Sequence, residues 1–311
     1  MNARIPRTIL LATDGSPDSR LAARAAADLA VRGAASLHAV HAWEPFSGIT
    51  GLAPMATPPL DEDVARSVLA EELSRIEALY HVMPAGVHLR AGSPEAEILA
   101  VAREIDAGLV VVGSRGLGPV RRTMLGSVSE SVVHHATMPV LVMRGPAGAW
   151  PPHRIVVGDD ARPDALAVLP LSAEIAGLYG AQVSLVHALP HLQETLRDPE
   201  TLARTVVDDI LEFAQGELED HVAQLPPDVA RRAAPRVAVG DAAEALLDAA
   251  AEDPGHTLIV VGTRGLGPIG RLRFGSVSTT VLRHARGPVL VGAHLAHARL
   301  EVLSPAVAAA R

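Results

Sequence analysis

Two stretches of this chain carry residues able to hold an anion without a lysine. In the first, Gly113, Gly116, Gly126 and Ser127 follow an apolar run, with two residues between the first two glycines and nine before the third. Gly262, Gly265, Gly275 and Ser276 repeat that spacing in the second. A glycine at the end of a strand permits a tight turn, which suits Gly113 and Gly262. A glycine inside the loop removes a side chain where a phosphate approaches the backbone, which suits Gly116 and Gly265. Ser127 and Ser276 precede apolar helical segments and are expected as their N-caps. A helix N-terminus offers N–H groups and a partial positive charge to an anion. Arg115, Arg121 and Arg122 in one loop, and Arg264, Arg271 and Arg273 in the other, either pair with phosphate or face solvent. The alternative reading of the same residues is structural: glycines that only shape turns and serines that only cap.

Asp14 ends an apolar run and is followed by Gly15 and Ser16. A carboxylate there can accept hydrogen bonds from ribose hydroxyls or an adenine amino group, or it can serve as a turn or capping residue. Its counterpart Asp160 is followed by Ala161 and Arg162, so the second loop differs. His41 and His187 sit at equivalent places on a later apolar run. Neither a Ser–His–Asp order nor a metal-binding spacing accompanies them, so they read as packed, hydrogen-bonded histidines. His134 and His135 read as helix-surface residues. No catalytic constellation is present.

Composition narrows the chemistry further. All 27 basic residues are Arg, and there is no Cys. A P-loop needs its phosphate-binding lysine, so that class is excluded, as are Schiff-base and thiol chemistry. The net charge of −8 argues against general nucleic-acid binding. No run of about 18 apolar residues suggests a membrane span. The opening MNARIPRTILLATDGS reads as a strand rather than a signal peptide, so a cytoplasmic protein is expected.

The elements that must position these residues occur twice. Val111–Val142 and Val260–Val291 align without a gap, with 20 of 32 positions identical. Strands are expected at Thr8–Ala12, Ser36–Ala42, Arg154–Gly158 and Gln182–Ala188. Helices are expected near 19–32, 61–80, 95–106, 163–179, 199–224 and 242–251. Strands alternating with helices imply βαβ units, a parallel sheet and helices on both faces. Runs such as ILLA, LVVV, LIVV and PVLV are apolar throughout, as strands covered on both sides should be. Aromatics make up only 2% of the chain, so the core must be built of Ala, Val, Leu and Ile. RGPAGAWPPH, at 144–153, breaks both periodicities and divides the chain into domains at 1–144 and 153–293.

The pattern G-x2-G-x9-G-[ST], placed after an apolar strand and paired with Asp-Gly-Ser at the end of the first strand, resembles the universal stress protein family across nearly the whole chain. The resemblance implies two tandem doubly wound α/β domains, each a five-stranded parallel sheet in the order 3-2-1-4-5. It implies ATP as ligand. Base and ribose would lie near Asp14 and Ala42, and near Asp160 and Ala188. Phosphates would lie on Gly113, Gly116, Gly126, Ser127 and Val128, and on Gly262, Gly265, Gly275, Ser276 and Val277. Gly92 and Gly240 would flank the nucleotide. The family pairs domains through the last strand, here Val140–Val142 and Val289–Val291, within a chain or in a homodimer. The expected role is regulatory, in stress or dormancy, with little or no turnover. A slow ATPase with Asp14 on Mg²⁺ and a nucleotide-free interaction module stay open beside it. The loop Glu44–Leu60 gives no indication of a downstream partner.

Overall fold

The computed structural model describes residues 5–45, 62–116, 126–160, 168–190, 192, 204–262 and 275–292. The first half runs β1 (Thr8–Ala12), α1 (Pro17–Gly33), β2 (Ser36–Trp43), α2 (Glu62–Tyr80), β3 (Gly86–Ala91), α3 (Pro94–Glu104), β4 (Leu109–Gly113), α4 (Ser127–His135) and β5 (Val140–Met143). The second runs β6 (Arg154–Gly158), α5 (Leu169–Tyr179), β7 (Gln182–Leu189), α6 (Arg204–Ala223), a short α7 (Pro227–Ala230), β8 (Ala233–Val239), α8 (Ala242–Ala250), β9 (Thr257–Val261), α9 (Ser276–His284) and β10 (Val289–Val291).

Each half has the order 3-2-1-4-5, and the two halves form one sheet, β3-β2-β1-β4-β5-β10-β9-β6-β7-β8. Within each half the neighbours are parallel; the joint between β5 and β10 is antiparallel. Its register sets Leu141 opposite Leu290, with Val142 opposite Val289 and Val140 opposite Val291. The two leucines occupy equivalent positions of the repeat, so a pseudo-twofold axis passes between them.

Alternation along the strands sends buried side chains to two layers. Ile9, Leu11, Leu109, Val111, Leu141, Ile155, Val260 and Leu290 face the α1 and α5 side. Leu10, Val110, Val112, Val140, Val156, Ile259 and Val291 face α3, α4, α8 and α9. Both layers run unbroken across the joint. α1 buries Ala22, Ala23, Ala25, Ala26, Ala27 and Ala30, so it lies close on the sheet without aromatic bulk.

The linker is anchored rather than loose. Trp150 is fully buried, its Nε1 donates to Asp28 Oδ2 at 3.0 Å, and the Tyr179 hydroxyl donates to the same oxygen at 2.6 Å. The two rings meet edge-on, with centroids 5.4 Å apart. Burial and the Asp28 carboxylate hold the Tyr179 hydroxyl far above the ordinary tyrosine range, so it stays a donor. Arg24 Nη1 donates to the Ala147 carbonyl at 2.9 Å, and Arg144 Nη1 reaches the Ala285 carbonyl at 2.8 Å.

One buried carboxylate stands out on α2. Glu72 is buried with its Oε1 unpartnered, and burial pushes its pKa above the ordinary 4.5. A carboxylate with a raised native pKa binds its proton more tightly when folded. Stability is therefore lost as pH rises through 4.5 and beyond. Glu72→Gln should raise the thermal midpoint at neutral pH and leave it near wild type in mild acid. Circular-dichroism melts across that range check it; an equal shift at all pH values would refute the assignment.

Candidate functional site

In the order 3-2-1-4-5 the chain leaves β1 toward β2 and leaves β4 toward β5. The crossovers diverge, and a crevice opens at the carboxyl ends of β1 and β4. A cavity of about 480 Å³ lies there. Thr13 and Asp14 bring in the end of β1, Ala42 the end of β2, and Asp18 and Ser19 the first turn of α1. Gly113, Arg115 and Gly116 come from the end of β4 and Gly126, Ser127, Val128 and Ser129 from the start of α4, while Pro94 and Ile98 of α3 close one side.

Eight residues singled out in the first half therefore share one cavity: Asp14, Ala42, Gly113, Arg115, Gly116, Gly126, Ser127 and Val128. Gly15 and Gly92 do not line it. Their roles are conformational: Gly15 has φ +76° just after Asp14, and Gly92 has φ +151° while its N–H donates to the Trp43 carbonyl at 2.9 Å. In the second half Asp160 is exposed at the end of β6, and Ala188 lies on β7. Gly240 has φ +130°, with its N–H bonded to the Leu189 carbonyl at 3.3 Å. Gly262 follows β9, and Ser276 and Val277 begin α9. Arg264, Gly265, Ala161, Arg162, Arg121, Arg122, Arg271 and Arg273 lie outside the described residues.

Three expectations change on contact with the geometry. The N-caps are Gly126 and Gly275, not Ser127 and Ser276, which are the first helical residues. No side chain caps either helix. The first-turn N–H groups have no intrahelical carbonyl to bond, and in α4 they belong to residues of the cavity wall. Ser129 and Ser278, which the sequence reading passed over, donate to the carbonyls of Gly126 and Gly275 at 2.9 and 3.0 Å. Their signal was present, since Ser-Val-Ser occurs in both repeats.

Gly113 does more than permit a turn. A Cβ there would lie 2.6 Å from the Ser19 amide nitrogen and 2.7 Å from the Asp18 carbonyl carbon. The glycine lets the N-terminus of α1 approach β4. The third change concerns Arg115. Its Nε and Nη2 donate to Asp18 Oδ2 and Oδ1 at 3.0 and 3.3 Å. Asp18 also accepts from Ser114 Oγ at 2.6 Å. The guanidinium is thus held by a carboxylate, though its side chain remains 36% exposed.

Backbone contacts complete the frame. The Ser114 carbonyl accepts from the Gly126 amide at 2.8 Å and from Ser129 Oγ at 3.0 Å, tying α4 to the end of β4. Ser16 caps α1 by accepting from the Ser19 amide at 3.2 Å, and its hydroxyl donates to the Arg115 carbonyl at 3.0 Å. Asp14 Oδ1 accepts from the Ser16 amide at 3.0 Å, while Oδ2 occupies the space a Gly116 Cβ would need. His41 is buried with Nδ1 2.7 Å from the Thr13 carbonyl, and His187 repeats this with Asp159 at 2.8 Å. Both are structural, as read from the sequence.

The two halves differ where β1 and β6 end. Thr13 of the first half is replaced by Asp159, a buried carboxylate 2.5 Å from His221 Nδ1 of α6. Among the described residues no helix is long and apolar enough to cross a membrane.

Known proteins agree with this architecture. The profile described as "Universal stress protein family" matches residues 6–144 and again 152–292. A universal stress protein of Thermus aquaticus is 39% identical over 140 residues, 44% of this chain and 98% of that protein. One from Mycobacterium tuberculosis is 36% identical over 140 residues, 44% of this chain and 45% of the relative, so the match spans about half of that protein. The crystal structure of a universal stress protein from Archaeoglobus fulgidus shares the fold, with a TM-score of 0.62 at 20% identity over 94% of this chain and 99% of that one. With two matched segments covering most of its length, the chain belongs to the universal stress protein family.

Proposed function

We propose that this protein binds ATP in the first-half cavity and acts as a cytoplasmic regulator in stress or dormancy, with little or no turnover. Its units are 1–144 and 153–293, paired within the chain through β5 and β10. The carrying observation is the convergence in one crevice of an uncapped helix N-terminus, the backbone of Gly113, Gly116 and Gly126, and the Asp14 carboxylate. Backbone N–H groups of α4 would take the phosphates, and Asp14 with Ala42 would flank the nucleoside.

The charges favour a cation with the nucleotide. Asp18 is matched by Arg115, which leaves the Asp14 carboxylate beside Gly116 where a polyphosphate would pass. A like charge there is repulsive unless Mg²⁺ stands between them. Equilibrium binding of ATP to the purified chain tests this. Affinity should rise with Mg²⁺, fall at least about tenfold in Gly116→Val, and lose much of its Mg²⁺ dependence in Asp14→Asn. No adenine-nucleotide binding from micromolar to millimolar concentrations would sink the proposal. The same carboxylate motivates the slow-ATPase reading, which requires phosphate release above background that disappears in Asp14→Ala.

A further inference from the structure

His153 and His256 stand side by side for a reason that lies in the sheet. Each immediately precedes a strand, and β6 and β9 are parallel neighbours with Arg154 opposite Thr257. The two histidines are therefore the next pair back in that register. Strand spacing is about 4.8 Å, and the imidazole rings stack at 4.9 Å with 7° between their planes. Asp253 sits in the turn before β9, and its carboxylate faces both rings. Oδ1 is 2.9 Å from His256 Nδ1, and Oδ2 is 3.7 Å from His153 Nδ1.

The backbone holds this set in place. The His153 amide donates to the His256 carbonyl at 2.9 Å. Thr257 Oγ1 donates to the Asp253 carbonyl at 2.7 Å. Gly148 of the linker passes so close that a Cβ there would lie 3.2 Å from His256 Nε2. The fold itself does not call for these side chains. The equivalent positions of the first half are Arg7, Glu104 and Ala107.

We propose that His153, Asp253 and His256 form a site for one divalent transition-metal ion of the zinc class. Two imidazoles and a carboxylate are the donor set such ions prefer, with remaining positions filled by water. A metal about 2.0–2.2 Å from each donor needs donors separated by about 3.3 Å. One donor atom from each residue lies within 4.8 Å of the others, so small rotations of the partly exposed imidazoles and carboxylate bring them to that spacing. Coordination would take the proton off His256 Nδ1, which now faces the Asp253 carboxylate, and would pin the linker to the second half.

Titration of the full chain with Zn²⁺ alone, against a competing colorimetric indicator, tests this. One equivalent should bind more tightly than any other. His153→Ala and Asp253→Ala should each weaken that equivalent at least about tenfold. Both residues are partly exposed, so the metal-free variants should melt at the wild-type temperature. His135→Ala, on a distant helix, should change nothing. Absence of a tight equivalent, or its survival in both variants, overturns the proposal. Loss in only one of the two implies a different donor set and overturns it equally.

Discussion

Trp150→Ala is expected to remove about 3–5 kcal/mol of stability, the cost of deleting a large buried aromatic side chain. The indole is 1% exposed and is wedged between α1 of one half and α5 of the other. Its deletion leaves a void at that joint and strips Asp28 of one of its donors. Trp150→Phe keeps most of the packing and loses only the N–H bond to a carboxylate, worth about 1.5–3 kcal/mol. Urea unfolding followed by circular dichroism separates the two effects. An alanine variant within about 1 kcal/mol of wild type would show that the linker is decorative.

Gly113→Val carries the second large effect. The atoms that a Cβ would meet are backbone, at 2.6 and 2.7 Å, so no side chain can rotate away. Relief requires the first turn of α1 to withdraw from β4. Overpacking of this kind costs about 1–3 kcal/mol or more. It would also move Asp18 away from Arg115 and Ser114, and so distort the cavity wall. The variant should lose stability and ATP affinity together. Gly216→Ala is the contrasting case. That glycine lies on α6 with nothing within 4 Å of a Cβ, so alanine should stabilise by up to about 1 kcal/mol. If Gly113→Val unfolded at the same denaturant concentration as wild type, the close approach of α1 to β4 would not matter in solution.

Much of this was legible in the residues. Strands β1 and β6 fall where unbroken apolar runs put them, because strands buried on both faces tolerate nothing else. The doubled glycine spacing located the end of β4 and the start of α4, and its Gly113, Gly116, Gly126 and Ser127 meet Asp14 and Ala42 in one cavity. What the sequence could not reveal were facts about neighbours. Gly113 answers to α1, which is distant in sequence from it. Arg115 looked free for phosphate, yet its nearest carboxylate is Asp18, 97 residues away in the chain. Ser127 resembled a cap, but the turn places Gly126 at that position. The partnership of Trp150 with Asp28 and Tyr179 was hidden for the same reason: one residue comes from each half and one from the linker.

The antiparallel joint between β5 and β10 settles how any occupants would be seen from outside. The pseudo-twofold axis reverses the strands, so the carboxyl ends of β1 and β4 point one way and those of β6 and β9 the other. The carboxyl ends of β4 and β9 consequently lie on opposite rims of the ten-stranded sheet. The His153–Asp253–His256 cluster, at the amino ends of β6 and β9, shares its rim with the Asp14 cavity. Four strand steps of about 4.8 Å separate them, roughly 19 Å.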